Sequence, residues 1–196
     1  MIVTINTDAS YSKQHKIGAF AFWIVCNDFK ITRSGALRKQ CHRPEVAEFR
    51  CIINAFHVLY TQDLSNVTKI IVNTDCLNVI HFCTKNKEAI RKYNLGIWGT
   101  QLVAKLEVIT GSIKRKIPIE WRHVKSHVTT EGARNWVNDW CDKSAKQELR
   151  KALQCINQCV VDRFPFLNGK AEELAYNLGF RFDEESGMYY KINVFK

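Results

Sequence analysis

Acidic residues are in short supply in this chain. Its 196 residues carry 19 Asp and Glu against 29 Lys and Arg, a net charge of +10. That balance favours a polyanionic partner such as nucleic acid, because each phosphate a protein cation neutralises releases counterions. Long apolar runs are missing, so no segment is suited to span a bilayer and no membrane partner is expected. The opening MIVTINTDAS has no basic stretch leading into an apolar one, so it does not read as a secretory leader. These absences lead us to expect an intracellular, cytoplasmic protein with reduced thiols. Zinc-finger spacing is missing as well. Cys155 and Cys159 lie one helical turn apart with no companion Cys or His pair, while Cys26, Cys51, Cys83 and Cys141 sit in apolar patterns that suit buried thiols. There is no internal repeat and no low-complexity segment.

What is present is enough apolar material, 46%, to bury a core, in a length that fits one domain plus an appendage. Residues Ile2–Thr7 alternate and predict a strand, with two more at Gly18–Cys26 and Lys30–Leu37 in an antiparallel meander. Pro44 opens a helix in which Val46, Phe49, Ile53, Phe56 and Tyr60 recur at three and four residues and predict one buried face. Lys69–Thr74 reads as a compact apolar strand, Cys76–Cys83 and Leu95–Ile109 as helices, Ile117–Val124 as a fifth strand, and a long helix runs from about Ala133 toward Val161. This order predicts an α/β fold with a mixed five-stranded sheet flanked by helices. Past Phe164–Lys170 the pattern predicts a small C-terminal extension, a short helix over AEELAYNLG and then a β-hairpin turning at EESG. The expected division is 1–150 as the main domain, 151–168 as helix and linker, and 169–196 as the extension.

The few acids fall where charge is least expected. Asp8 ends the strand in VTINTDAS, Glu48 lies early in the helix of PEVAEFR, Asp75 ends the strand in KIIVNTDC, and Asp142 lies in NDWCDKSA. Buried carboxylates repel by roughly 4 kcal/mol for a pair about 4 Å apart at a surface-like dielectric, and a divalent metal is the usual counter-charge. If the first and fourth strands lie side by side and parallel, Asp8 and Asp75 emerge at one sheet edge, where open α/β sheets collect their ligands. Taken singly, Asp8 and Asp75 also suit capping residues, Glu48 a solvated helix position, and Asp142 an ion pair with Lys143 or Lys146. Asp139 shares a helix face with Asp142.

In this order the motifs TDAS at Asp8, AE before an apolar helix at Glu48, NTD at Asp75, and WRHVKSH…VNDWCDKSAK ending at Asp142 resemble a divergent type-1 ribonuclease H, over roughly residues 1–150. The resemblance implies a ribonuclease H-like fold and a metal-dependent endoribonuclease that hydrolyses the RNA strand of RNA–DNA hybrids. Two Mg²⁺ or Mn²⁺ ions about 4 Å apart would clamp the scissile phosphodiester. It assigns Asp8 to both ions, Glu48 and Asp75 to the first, and Asp142 to the second, with Asp139 as a neighbouring secondary candidate. His127, on the loop after VKS, would assist proton transfer or product departure, with His123 as its rival. Substrate contacts are expected from Ser10 and Asn78 and from the basic segment Lys85, Lys87, Arg91 and Lys92 with nearby Trp98. Leu77 stands where relatives commonly carry Gln, so one 2′-hydroxyl contact is lost. No obligate protein partner is implied. Two other readings stay open. One is a DNA-junction nuclease on the same fold. The other is a non-catalytic nucleic-acid-binding module, which clustered negative charge argues against.

Overall fold

Alternation along the first strand gives the sheet two different faces. β1 (Ile2–Ser12) directs Val3 and Ile5, both fully buried, into an apolar core on one side, while Asn6 and Asp8 belong to the other. β2 (Ile17–Val25) does the same with Phe22 and Ile24 on the core side and Ala21 and Trp23 opposite. β3 (Lys30–Ala36), β4 (Lys69–Thr74) and β5 (Ile119–His123) complete one sheet in the order β3-β2-β1-β4-β5. The β3–β2–β1 pairs are antiparallel, and the β1–β4 and β4–β5 pairs are parallel. Glu120 of β5 pairs with Lys69 across the strand gap and with Arg122.

The computed structural model describes the backbone of residues 1–92, 96–111, 117–124, 133–163, 180–183 and 188–191, and the side chains of 1–89, 101–109, 117–124 and 136–156. α1 (Pro44–Tyr60) begins with proline in its first turn, where a missing N–H costs nothing. It packs Phe49, Ile52, Phe56 and Leu59 into the core against β1 and β2. Tyr60, expected on the buried stripe, is half exposed, because the 3.6-residue period brings Leu59 inward in the last turn instead. α2 (Leu77–Cys83) and α3 (Lys87–Lys92) follow β4, and α4 (Gly96–Gly111) lies against α1. The short α3 has no counterpart in the sequence expectation. α5 (Ala133–Arg163) covers the other face with Cys141 and Ala145 against Ala21 and Trp23, and Trp136 and Trp140 meet the Trp23 ring edge-on.

The chain divides into two compact units, Met1–Leu149 and Arg150–Lys196. In the second, β6 (Phe180–Asp183) and β7 (Met188–Lys191) pair antiparallel. The helix expected over AEELAYNLG and the EESG turn lie outside the described residues. Among the described residues no helix is long and apolar enough to cross a membrane.

The loop between β3 and α1 folds back over the start of β2. Leu37 N–H donates to Gly18 O and Cys41 N–H to Lys16 O, both at 2.8 Å. A Cβ on Gly18 would stand 2.8 Å from Leu37 Cδ1 and 3.0 Å from both Ala47 Cβ and Cys41 Sγ. Gly18→Ala is therefore expected to destabilise the protein by about 1–3 kcal/mol through overpacking, read as a lower midpoint in urea unfolding. An unchanged midpoint would mean that the loop does not hold this close approach.

Candidate active site

The geometry of the acids follows from where one ladder stops. β1 pairs with β4 only from Ile2↔Lys69 to Asn6↔Asn73, but it stays paired with β2 as far as Ser12↔Ile17. Asp8 therefore lies inside β1, opposite Ala21, and not at the strand's end as the sequence suggested. The reason is the second partner, because β2 continues to satisfy the backbone after β4 has left. At that split Asp8 comes from one strand, Asp75 from the residue after β4, and Glu48 from α1. Their carboxylate oxygens lie within 4.8 Å of one another.

Each acidic residue is held by specific contacts, Glu48 at its carboxylate and Asp8 and Asp75 at their backbone carbonyls. The Ala9 amide donates to Glu48 Oε1 at 3.1 Å, tying the helix to the strand beside Asp8. Below β1 the Cys51 thiol lies 3.4 Å from the Asp8 carbonyl and 3.2 Å from that of Ala21. Burial pushes this thiol well up from its usual range, as it does that of Cys141, so both stay protonated and serve as donors. His123 Nε2 lies 3.1 Å from the Asp75 carbonyl oxygen, on the exposed rim. Behind the acids, Asn73 Nδ2 donates to Asn6 Oδ1 at 2.8 Å. A signal for this amide pair is in the sequence, since the tripeptide Asn-Thr-Asp occurs at both 6–8 and 73–75, although the contact itself depends on the strand register.

Electrostatics mark the cluster as unfavourable by itself. Asp8 is 5% exposed, and burial, followed by the charges of Asp75 and Asp142, pushes its carboxyl up to about 8. Glu48 is 8% exposed, and burial, then Asp8 and Asp75, raises it well above the usual carboxylate range despite the Ala9 hydrogen bond. Glu48 Oε2 is buried with no hydrogen-bond partner among the described residues. A buried orphan oxygen, beside other carboxylate oxygens that repel it, fits a hard divalent cation. The donor set contains no sulfur or nitrogen that would favour a softer ion.

Asp142, on α5, stands outside the tight trio but is close enough for its charge to raise both Asp8 and Glu48. Its Oδ2 accepts from Lys146 Nζ at 2.8 Å, and Lys146 in turn draws Asp8 down. Asp139 is exposed and pairs with Lys143 at 3.1 Å. Of the expected substrate contacts, Ser10 is half-buried in β1, and Asn78 Nδ2 donates to Glu45 Oε1 at 3.2 Å. Lys85 is exposed and pairs with Glu107 at 3.3 Å, and Lys87 is exposed at the start of α3. Arg91 and Lys92 fall on α3 and Trp98 on α4, but their side chains, like the whole of His127, lie outside the described residues.

The raised carboxyls have a consequence for stability. In the folded protein Asp8 keeps a proton between pH 4 and 8 that the unfolded chain has lost. Its contribution is thus complete below about pH 4 and disappears as pH rises through 8. In chelator the melting temperature is expected to fall from pH 5 to pH 8 by the equivalent of a few kcal/mol, on the order of one kcal/mol per pH unit. Asp8→Asn should flatten that slope and raise neutral-pH stability. A scanning-fluorimetry series in which wild type and variant fall in parallel would contradict this electrostatic picture.

The sequence profile of the RNase H family matches residues 1–150. Among solved structures, the chain is similar to the N-terminal RNase H domain of Rv2228c from Mycobacterium tuberculosis, a fusion with maltose-binding protein. That match has 13% identity and a TM-score of 0.59, covering 79% of this chain and 97% of that one. It is also similar to LC11-RNase H1, isolated from compost by a metagenomic approach, at 16% identity and a TM-score of 0.57 over 77% of this chain and 97% of that one. The same LC11 protein in complex with RNA/DNA hybrid matches at 15% identity, with a TM-score of 0.54 over 77% and 99%. At these identities the structures speak for the fold alone. No curated protein sequence matches. A profile spanning residues 1–150, over a five-stranded mixed sheet that brings three acids together where two strands part, makes this chain a member of the RNase H family.

Proposed function

We propose that the protein is a metal-dependent endonuclease that hydrolyses the RNA strand of RNA–DNA hybrids, with residues 1–150 as its catalytic domain and 169–196 as an appended extension. The observation that carries this reading is the convergence of Asp8, Glu48 and Asp75 within 4.8 Å, with a buried oxygen of Glu48 left unpartnered. Family membership and the hybrid bound to LC11-RNase H1 support the substrate class.

Two Mg²⁺ or Mn²⁺ ions, when bound, would supply Lewis acidity toward the phosphodiester and make hydroxide available near neutral pH. Asp8, Glu48 and Asp75 would hold one ion, and Asp8 and Asp142 the other. The chain's own contribution is positional. The Ala9 amide fixes one oxygen of Glu48 and leaves the other for a cation. His123, donating from Nε2 to the Asp75 carbonyl, steadies the segment that carries that carboxylate. Lys146 holds Asp142 by its charge until a stronger cation competes. His127 is the proposed carrier of a proton to or from the reacting groups, with Asp139 at the margin. Ser10, Asn78, Lys85, Lys87, Arg91, Lys92 and Trp98 remain the proposed contacts to the hybrid backbone.

Asp75→Asn is expected to lower hybrid cleavage by more than the roughly 10–100-fold typical of an outer-shell change, with circular dichroism and hybrid affinity retained. The substrate panel is hybrid, duplex RNA, duplex DNA and a four-way junction, each with Mg²⁺ and with Mn²⁺. Intact hybrid under both ions, with folded protein, would sink the reading, and preferential junction cutting would replace it. Lys146→Ala should lower the metal concentration for half-maximal cleavage severalfold, because a competing cation is removed. An increase would instead mean that the lysine is needed to aim Asp142.

A further inference from the structure

A pocket lies on the side of α1 turned away from the acids. Glu48 and Arg50 are two residues apart, about 200° around a helix, and the pocket on the Arg50 side has a volume of about 600 Å³. It extends from the end of β3 to the middle of α4. Its β3 side is two strands from β1, roughly 10 Å across the sheet from the strand that carries Asp8, and Phe20 of the intervening β2 forms its near side.

Its walls divide by chemistry. Phe20, Ile53 and Leu102 provide an apolar floor, and Arg38, Lys39 and Lys105 a cationic rim. Asn54 and Gln101 place two carboxamides between them. No described residue lining it is acidic, and among the described residues none of these rim and amide side chains has a hydrogen-bond or ion-pair partner. The rim is also held in place from within. Arg50 Nη1 donates to the carbonyls of Lys39 and Gln40, both at 2.6 Å, and lies 3.4 Å from Cys41 Sγ, pinning the loop that carries Arg38 and Lys39.

We infer that this pocket is a nucleotide-binding site separate from the carboxylate cluster. Its volume falls within the roughly 300–1,000 Å³ of small-molecule sites. An apolar floor takes the face of a base, carboxamides match the donor and acceptor pair on an adenine edge, and the rim takes the phosphate. A bare anion would leave the floor unused, and an uncharged aromatic would leave the rim unused. The nucleotide has two sources, a free mononucleotide or one unit of a nucleic-acid strand. The inference does not depend on the nuclease reading.

Calorimetric titration of the full chain with adenosine 5′-monophosphate tests it. The buffer contains EDTA, so that the uncompensated acids repel phosphate. The nucleotide is expected to bind at least tenfold more tightly than inorganic phosphate or adenosine alone. Asn54→Trp, which fills the pocket and removes a carboxamide, and Lys39→Glu with Lys105→Glu, which reverses the exposed rim, should each weaken it at least tenfold. The rim variant keeps the test valid if the filled pocket fails to fold. Equal affinity for phosphate and nucleotide, or nucleotide binding indifferent to the rim variant, would overturn the inference, as would no binding at all. Displacement by an RNA–DNA hybrid assigns the pocket to a strand, and retention of the nucleotide assigns it to the free ligand; both uphold the site. A protein that binds nucleotide but cuts no hybrid would refute the nuclease reading and leave this one standing.

Discussion

Repulsion among three carboxylates at the parting of β1 and β4 is the constraint around which this molecule is arranged. Asp8 and Glu48 are nearly buried, and Asp75 is within 4.8 Å of both. Each such pair costs roughly 4 kcal/mol at 4 Å and an effective dielectric near 20. Only a well-anchored frame can keep them facing one another. The anchors come from both sides of the sheet, with Phe22, Phe49, Ile52 and Phe56 on one face, and Trp23, Cys141 and Ala145 on the other. Each large apolar side chain buried contributes about 1.5–3 kcal/mol, and these side chains fix the strands and the helix that carry the acids. The acids do not stabilise the fold. The fold holds them in a state that a divalent cation relieves.

Much of this was legible because charge interrupts pattern. Asp8 follows an alternating strand and Asp75 a compact apolar one, and Glu48 breaks a buried helical face, so all three stand out in the sequence. The element order was readable for the same reason, since periods of two and of 3.6 residues leave distinct traces in β1 and α1. What escaped was decided by neighbours. The sequence suggested that β1 ends at Thr7, but β2 carries it to Ser12. Tyr60 has the right spacing for the core and is exposed because the helix ends there, with Leu59 taking the inward position. The short α3 is too polar and brief to leave a periodic signal. The Asn6–Asn73 bond needs the parallel register, which no single strand contains.

α1 links the two ends of this arrangement. Glu48 faces the acids, Cys51 reaches the backbone under Asp8, and Arg50 clamps the loop that borders the basic pocket. One helix therefore sets the position of the carboxylate centre and of the rim loop together. A shift of α1 along its axis would disturb both, and the contact of Gly18 with Ala47 and the loop leaves little room for such a shift. The small residue at position 18 is thus linked to the site through packing, although it carries no chemistry.

Charge is partitioned in the same way. The chain has a net charge of +10, yet among the described residues the buried charged side chains are two acids, Asp8 and Glu48. A nucleic-acid backbone would be drawn to the basic surface and repelled at the centre for as long as the trio lacks a counter-charge. On the proposed function, cation and substrate must then favour each other's binding, because each lowers the electrostatic cost the other meets. That coupling is reciprocal by thermodynamic necessity. Lys146 moderates it, since its single positive charge beside Asp142 partly compensates the site without satisfying Glu48 Oε2. On that reading the centre is left partly neutralised, and it takes up its remaining counter-charge only together with the phosphodiester.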